Sequence, residues 1–250
     1  MERVVGTGTA LVVIVVITLA IASAARLERP GLQPWAILRA VVQLGLLSLV
    51  LVGVVQSVPL TAVLLLVGLL VATWTAAGRI GLARQQIPLL LALLTAAVAL
   101  PVVVVLVTGA LPATPRYLLA IGGILIGNAM TAASLTGRTL RASLATHRDE
   151  VEAWLAIGAS PRRAAARLVR AAASTAVLPA TDQARTTGLV ALPGAFVGAL
   201  FGGASVADAA RFQVLVLASI LLVGVIVAVG LGAALGAPRT LPVDEVGPRR

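Results

Sequence analysis

The sequence contains no cysteine and no lysine, one histidine, nine acidic residues and only 3% aromatics in 250 residues. Without cysteine there is neither a disulfide framework nor a thiolate metal site. The single histidine, His147, cannot supply the H-E-x-x-H pair of a zinc protease. Without lysine no Walker A loop (G-x-x-x-x-G-K-[ST]) can be built, so the chain does not hydrolyse ATP by that route. The net charge of +10 would suggest nucleic acid in a soluble protein. With so few aromatics, and with the basic residues flanking apolar runs, binding to a phosphate backbone is excluded as the reading. Charge itself is scarce, at 11% of residues against about a quarter in soluble domains.

What the chain has instead is apolar length. It is 60% hydrophobic, with a mean hydropathy of +1.07. Seven apolar segments stand out, at about 4–25, 37–56, 58–77, 87–108, 116–136, 186–204 and 211–235. Each is close to the roughly 20 residues that a helix needs to cross a bilayer. The pattern predicts an all-α polytopic membrane protein with about seven transmembrane helices, residues 1–250 forming a single transmembrane domain. All 19 basic residues are arginines, and 16 of them flank alternate segment ends, leaving Arg3, Arg116 and Arg211 for the opposite side. By the positive-inside rule the richer side is cytoplasmic, with the N-terminus outside and the C-terminal tail, 236–250, inside.

One loop is long, from about 137 to 185, and holds eight arginines, His147 and four of the nine acids. Thr146 and Asp149 have the spacing of a capping box, which predicts a helix from His147. Gly158 should end it, and Ser160-Pro161 supplies an N-cap and N1 proline for a second helix. The loop therefore reads as helix, turn, helix. On the first helix Val151, Trp154, Leu155 and Gly158 fall on one stripe, and on the second Arg163, Arg167 and Arg170 share a face. A short amphipathic helix on the aqueous loop of a polytopic protein suits docking to a separate soluble subunit.

The run Glu152-Ala153-Trp154-Leu155-Ala156-Ile157-Gly158-Ala159-Ser160-Pro161 resembles the EAA motif of ABC-transporter permeases, E-A-A-x-x-x-G. Glutamate and glycine stand six apart in both, Trp154 replaces the second alanine, and the Leu-Pro that follows in the motif appears at Leu178-Pro179. Further strings occur in order: Leu125-Ile126-Gly127-Asn128-Ala129-Met130, Arg148-Asp149-Glu150-Val151-Glu152-Ala153, Thr186-Thr187-Gly188-Leu189-Val190-Ala191-Leu192-Pro193-Gly194 and Gly202-Gly203-Ala204-Ser205. Together they resemble the bacterial ABC permease family of iron exporters, which has plant relatives linked to aluminium tolerance. The match is densest from about Gly122 to Gln213.

That resemblance implies the permease subunit of an ABC transporter in the bacterial inner membrane. Two copies would work with two separately encoded ATPase subunits, moving iron or another metal, free or chelated, outward. ATP and magnesium would then sit on the partner, with no cofactor on this chain. The coupling residues implied are Val151, Glu152, Ala153, Trp154, Leu155, Gly158, Ser160 and Pro161. Asn128, Gln43 and Gln213 would line a substrate route or bond between helices, Met130 offers a soft thioether, and Asp182 would form a helix-start ion pair with Arg185 or serve as a substrate ligand. Small residues at Gly123 and Gly127, and at Gly194, Gly198 and Gly202, predict close helix packing.

Metal ligands stay unassigned. Hard or borderline cations favour carboxylate, imidazole or thiolate, and the seven segments hold no acid, histidine or cysteine. Asp182 and Asp208 lie only at the mouths. An ATP-independent secondary transporter or channel is the rival reading, and it predicts intramembrane ionisable residues that the seven segments lack. A membrane-embedded enzyme would need a catalytic cluster at bilayer depth, and His147 belongs to the loop.

Overall fold

The computed structural model describes residues 2–27 and 31–237, with backbone alone for 2–5 and Val52. The chain divides into two units, Met1–Gln56 and Ser57–Arg250. The first contributes α1 (Glu2–Ala24) and α2 (Leu32–Val54), which pack on each other. Their side chains are almost all outward-facing and apolar, as suits helices whose surroundings are lipid tails.

The second unit holds α3 (Val58–Ile80), α4 (Ile87–Val107), α5 (Pro115–Thr146), α6 (Arg148–Ala156), α7 (Pro161–Thr186), α8 (Gly194–Phe201) and α9 (Val206–Leu235). Prolines at the first turns of α3, α4, α5 and α7 fit where a missing N–H costs no helical bond. α5 is the central helix and packs on α3, α4, α7 and α9. Leu69, Leu94, Leu125, Ala129, Val216 and Val223 are at the heart of this bundle. A second cluster joins Leu140, Leu144, Val151, Ala165 and Leu168 at one end.

Pairwise contacts set the directions. A Cβ on Gly122 would meet Leu65 at 2.8 Å and one on Gly137 would meet Ile80 at 2.6 Å, so α3 and α5 run parallel. The rings of Tyr117 and Phe212, 5.6 Å apart, start α5 and α9 side by side. Val169 lies against Gly232, while Ser174, Leu178 and Thr181 share a groove with Val225, Ala228 and Val229. α7 therefore runs antiparallel to α9. The C-terminal ends of α3, α5 and α9 and the starts of α4 and α7 gather at one end of this unit.

Among the described residues six helices are long and apolar enough to cross a membrane: α1 to α5 and α9. The seventh expected segment, 186–204, is not a span. It consists of a turn closed by a Thr187–Ala191 bridge, the eight-residue α8, and a second turn at Gly202–Gly203. Pro193 starts α8 and Gly203 (φ +89°) follows its end, so the apolar run is cut too short to cross. α7 runs beside α9 instead, with a sequence that is on balance polar and an apolar, alanine-rich side buried against its neighbours. The long loop is correspondingly smaller than 137–185. Residues up to Thr146 continue α5, and residues from Pro161 belong to α7. Arg185, grouped with the loop arginines from sequence, lies at the far end of α7, about 22 Å of helix from Arg170. The tail from residue 238 lies outside the described residues.

The glycine ridge is also redistributed. A Cβ at Gly123, Gly127, Gly194 or Gly198 would meet nothing within 4 Å, and one at Gly202 would meet only carbonyl oxygens of α8. The close approaches fall on Gly122, Gly137, Gly230 and Gly232 instead. Gly123 sits one position, about 100° of helix rotation, past Gly122 and so turns to the open side of α5.

Candidate functional site

The junction of α5, α6 and α7 is built from local signals and then pinned by tertiary ones. α6 starts at Arg148, one residue after the position read from sequence. Its N-cap is His147, with no side-chain cap, because Thr146 still belongs to α5 and the expected capping box does not form. His147 Nδ1 lies 3.1 Å from the Ser143 carbonyl oxygen. Asp149 and Glu150 occupy the first turn, where the helix dipole favours negative charge. Gly158 adopts φ +89°, and the N–H groups of Gly158 and Ala159 close back on Leu155 and Trp154, each at 3.0 Å. Ser160 then accepts from the Arg163 N–H at 3.4 Å and Pro161 opens α7.

Two contacts fasten this elbow. Val151, 1% exposed, inserts among Leu140, Leu144, Ala164 and Leu168. Glu150 takes a two-pronged hydrogen bond from Arg167, with Arg167 Nε to Oε1 at 3.0 Å and Nη2 to Oε2. That hydrogen bond holds the Glu150 carboxyl below the usual glutamate range against the opposing effect of burial, and the charges of Arg167 and His147 add to the lowering. Glu152 pairs with Arg148 at 2.7 Å on the outer surface. The stripe read from sequence therefore splits. Val151 faces inward as an anchor and is not free to dock, because the α5–α7 crevice receives that side of α6. Trp154 (48% exposed), Leu155 and Ile157 (75% exposed) face out, with Ala153 exposed beside them. Ile157 was missed as a surface residue because it is off the stripe of Val151, Trp154, Leu155 and Gly158; in the structure α6 ends at Ala156 and Ile157 is its exposed C-cap. Glu150 was missed because its partner is 17 positions away.

The same end of the unit carries Arg79, Arg84, Arg138, Arg141, Arg148, Arg162, Arg163, Arg167 and Arg170. One of them has a specific structural task. Arg141 donates to the carbonyls of Ile80 and Gly81 (2.8 Å for the latter), so a cation from α5 satisfies the C-terminus of α3.

The polar residues expected along a route are not brought together. Asn128 donates to the Ile124 carbonyl at 2.9 Å within its own helix, and Met130 is half-buried against the core. Gln43 is exposed on α2, in the other unit. Asp182 is exposed on α7, with Arg185 3.9 Å away. Gln213 is buried near the start of α9, and its Oε1 is the buried side-chain atom left without a hydrogen bond among the described residues. Among the described residues no three acids or histidines converge on a common point.

Residues 7–237 match the family described as "Uncharacterised protein family (UPF0014)". The chain is 45% identical over 106 residues to "UPF0014 membrane protein STAR2" of Oryza sativa subsp. japonica, covering 42% of this chain and 37% of that one. It is 42% identical over 106 residues to "Protein ALUMINUM SENSITIVE 3" of Arabidopsis thaliana, covering 42% and 39%. These two alignments thus span about two fifths of each plant relative's length. With "Probable iron export permease protein FetB" of Escherichia coli (strain K12) it shares 30% identity over 185 residues, 73% of this chain and 71% of that one. No solved structure matches.

Proposed function

Because the chain belongs to the UPF0014 family, we propose that it is the membrane permease subunit of an ABC transporter, exporting a metal or metal chelate with ATP hydrolysed on a separate subunit. The carrying observation is the α6 elbow, an outward apolar knob of Trp154, Leu155 and Ile157 on a short helix fastened to two long ones. A partner ATPase that seats this knob and moves it would move α5 and α7 with it. Val151 and the Glu150–Arg167 bond leave α6 little freedom to swing alone.

The arginine-rich end of the bundle faces the cytoplasm in this reading, which places the C-terminus inside and the N-terminus outside. Moving Arg185 to the other side leaves the asymmetry strong. Iron enters through the name of the E. coli relative; in this reading the permease acts as a homodimer in the bacterial inner membrane. The test is co-purification and coupling. The tagged chain should bring down a nucleotide-binding subunit whose ATPase rate it raises, and Trp154→Ala should lower that stimulation about tenfold while permease levels hold, as expected for an aromatic anchor worth roughly 1.4 kcal/mol or more. Unchanged stimulation in Trp154→Ala and Ile157→Ala together would remove the elbow from the docking site.

A second reading draws on Asp182. An acid on α7, beside the uncharged length of α9, is what an ion-coupled secondary transporter would use. Transport driven by a pH gradient with no ATPase present would favour it.

A further inference from the structure

The exposed face of α7 carries charge at both ends of the helix, Arg163 to Arg170 at one and Asp182 with Arg185 at the other, and the structure assigns it, through Ser174, Asp182 and Arg185, to the wall of a water-filled route across the membrane. The depth of these residues follows from α9. From Phe212 to Leu235 that helix carries no charge, roughly 36 Å at about 1.5 Å per residue, enough to cross the hydrocarbon core. Thr181 lines a groove with Val225, which lies roughly 20 Å from Phe212 and 15 Å from Leu235. Asp182 is the next residue and Arg185 lies about 4.5 Å further along the axis. An acid and an arginine, both well exposed and only 3.9 Å apart, therefore sit at the depth of the bilayer interior.

Their placement on α7 is regular. Buried Ala165, Leu168, Ala172 and Ala176 face α5 and α9, while Arg163, Arg167, Arg170, Ser174, Leu178, Asp182 and Arg185 recur at three- and four-residue steps on the exposed side. Leu178 is the one apolar member of that stripe. A charged side chain turned to lipid at mid-depth costs about 2.5–3.5 kcal/mol or more, so such residues face water or protein. The chain also breaks at this depth. The Thr186 carbonyl accepts the N–H of Val190 at 3.0 Å and those of Leu189 and Ala191 at 3.3 Å, closing a non-helical turn between α7 and α8. Irregular backbone inside a membrane is stable where protein or a water-filled cavity surrounds it.

The wall offers a hydroxyl, a carboxylate, the Gln183 amide and a guanidinium, with no imidazole or thiol. That set suits a hydrophilic solute that keeps its hydration shell or an oxygen-rich chelator, and does not suit a bare soft metal. The inference rests on the reading of the chain as a transport protein but needs no ATPase.

The absence of native cysteine makes the test direct. Single reporters Ser174→Cys, Leu178→Cys and Asp182→Cys in the full chain, in membrane vesicles, are treated with a cationic methanethiosulfonate reagent. Val67→Cys and Val71→Cys, exposed on α3, serve as lipid-facing controls. Because the reacting species is a thiolate, which lipid suppresses, the α7 reporters should react at least about tenfold faster than the controls. Equal rates overturn the proposal, and Ser174→Cys with Leu178→Cys decide it if Asp182→Cys fails to accumulate. Labelling requires neither nucleotide nor partner. A missing ATPase therefore defeats the ABC reading alone, and slow labelling defeats this one alone.

Discussion

α7 and α9 lie against each other in opposite directions, and their exposed faces are chemically unlike. α9 presents Val214 and Leu222 outward, while its Val225 and Val229 line the groove shared with Ser174, Leu178 and Thr181; α7 presents Arg170, Ser174, Asp182 and Arg185. The difference shows that a helix need not be apolar all round to sit among membrane helices. It needs an apolar side toward its neighbours and a polar side toward something other than lipid.

The comparison breaks most sharply under an added charge. Leu222→Arg should lower membrane integration by about 2.5–3.5 kcal/mol, while Ser174→Arg should change it little, read as the alkali-resistant membrane fraction after in vitro translation. Equal losses would mean that both faces see the same medium. A smaller effect is expected where the helices touch. Gly232→Leu drives a side chain into Val169, 2.9 Å from a Cβ there, and should cost about 1–3 kcal/mol, lowering the unfolding midpoint in detergent. Gly127→Leu on the open side of α5 is the matched control, and a drop as large as that of Gly232→Leu would show that this side is covered.

The smallest effect concerns the start of α7. The Glu150 carboxyl is lowered by its hydrogen bond from Arg167, so the elbow gains from this bond above the ordinary glutamate value of 4.5. The gain is lost as pH falls through the lowered folded value. Trp154 fluorescence, with Trp35 and Trp74 replaced by phenylalanine, should change in that acid range and lose the transition in Glu150→Gln. A transition that persists in Glu150→Gln would assign it to another group.

Much of the elbow was legible because its signals are local. Gly158 demands a left-handed backbone that it alone supplies cheaply, and Ser160-Pro161 starts a helix whatever surrounds it. The direction of Val151 was not legible. Periodicity puts Val151, Trp154 and Leu155 on one stripe, but the crevice between α5 and α7 admits only Val151. The same limit explains the glycines. Gly122 and Gly123 are equivalent as sequence, and only the position of α3 makes Gly122 the contact. The span count erred at 186–204 because average apolarity does not register where Pro193 and Gly203 cut the run. Sequence reading assigned 161–186 to a loop because its polar face and its buried face average to no apolar run, whereas the structure forms one helix there, α7.

The sequence by itself determined that this is an all-helical polytopic membrane protein, that no Walker A loop can be built on this chain, and where α6 ends and α7 begins. Those features depend on composition, on a missing residue type and on backbone preferences within a few positions. That the polar-faced α7 stands beside α9, which glycines let helices meet, and which side chains of α6 remain free were decided only by the tertiary structure. The reason is that a helix has several faces with similar sequence credentials, and contact with a neighbour is what distinguishes them.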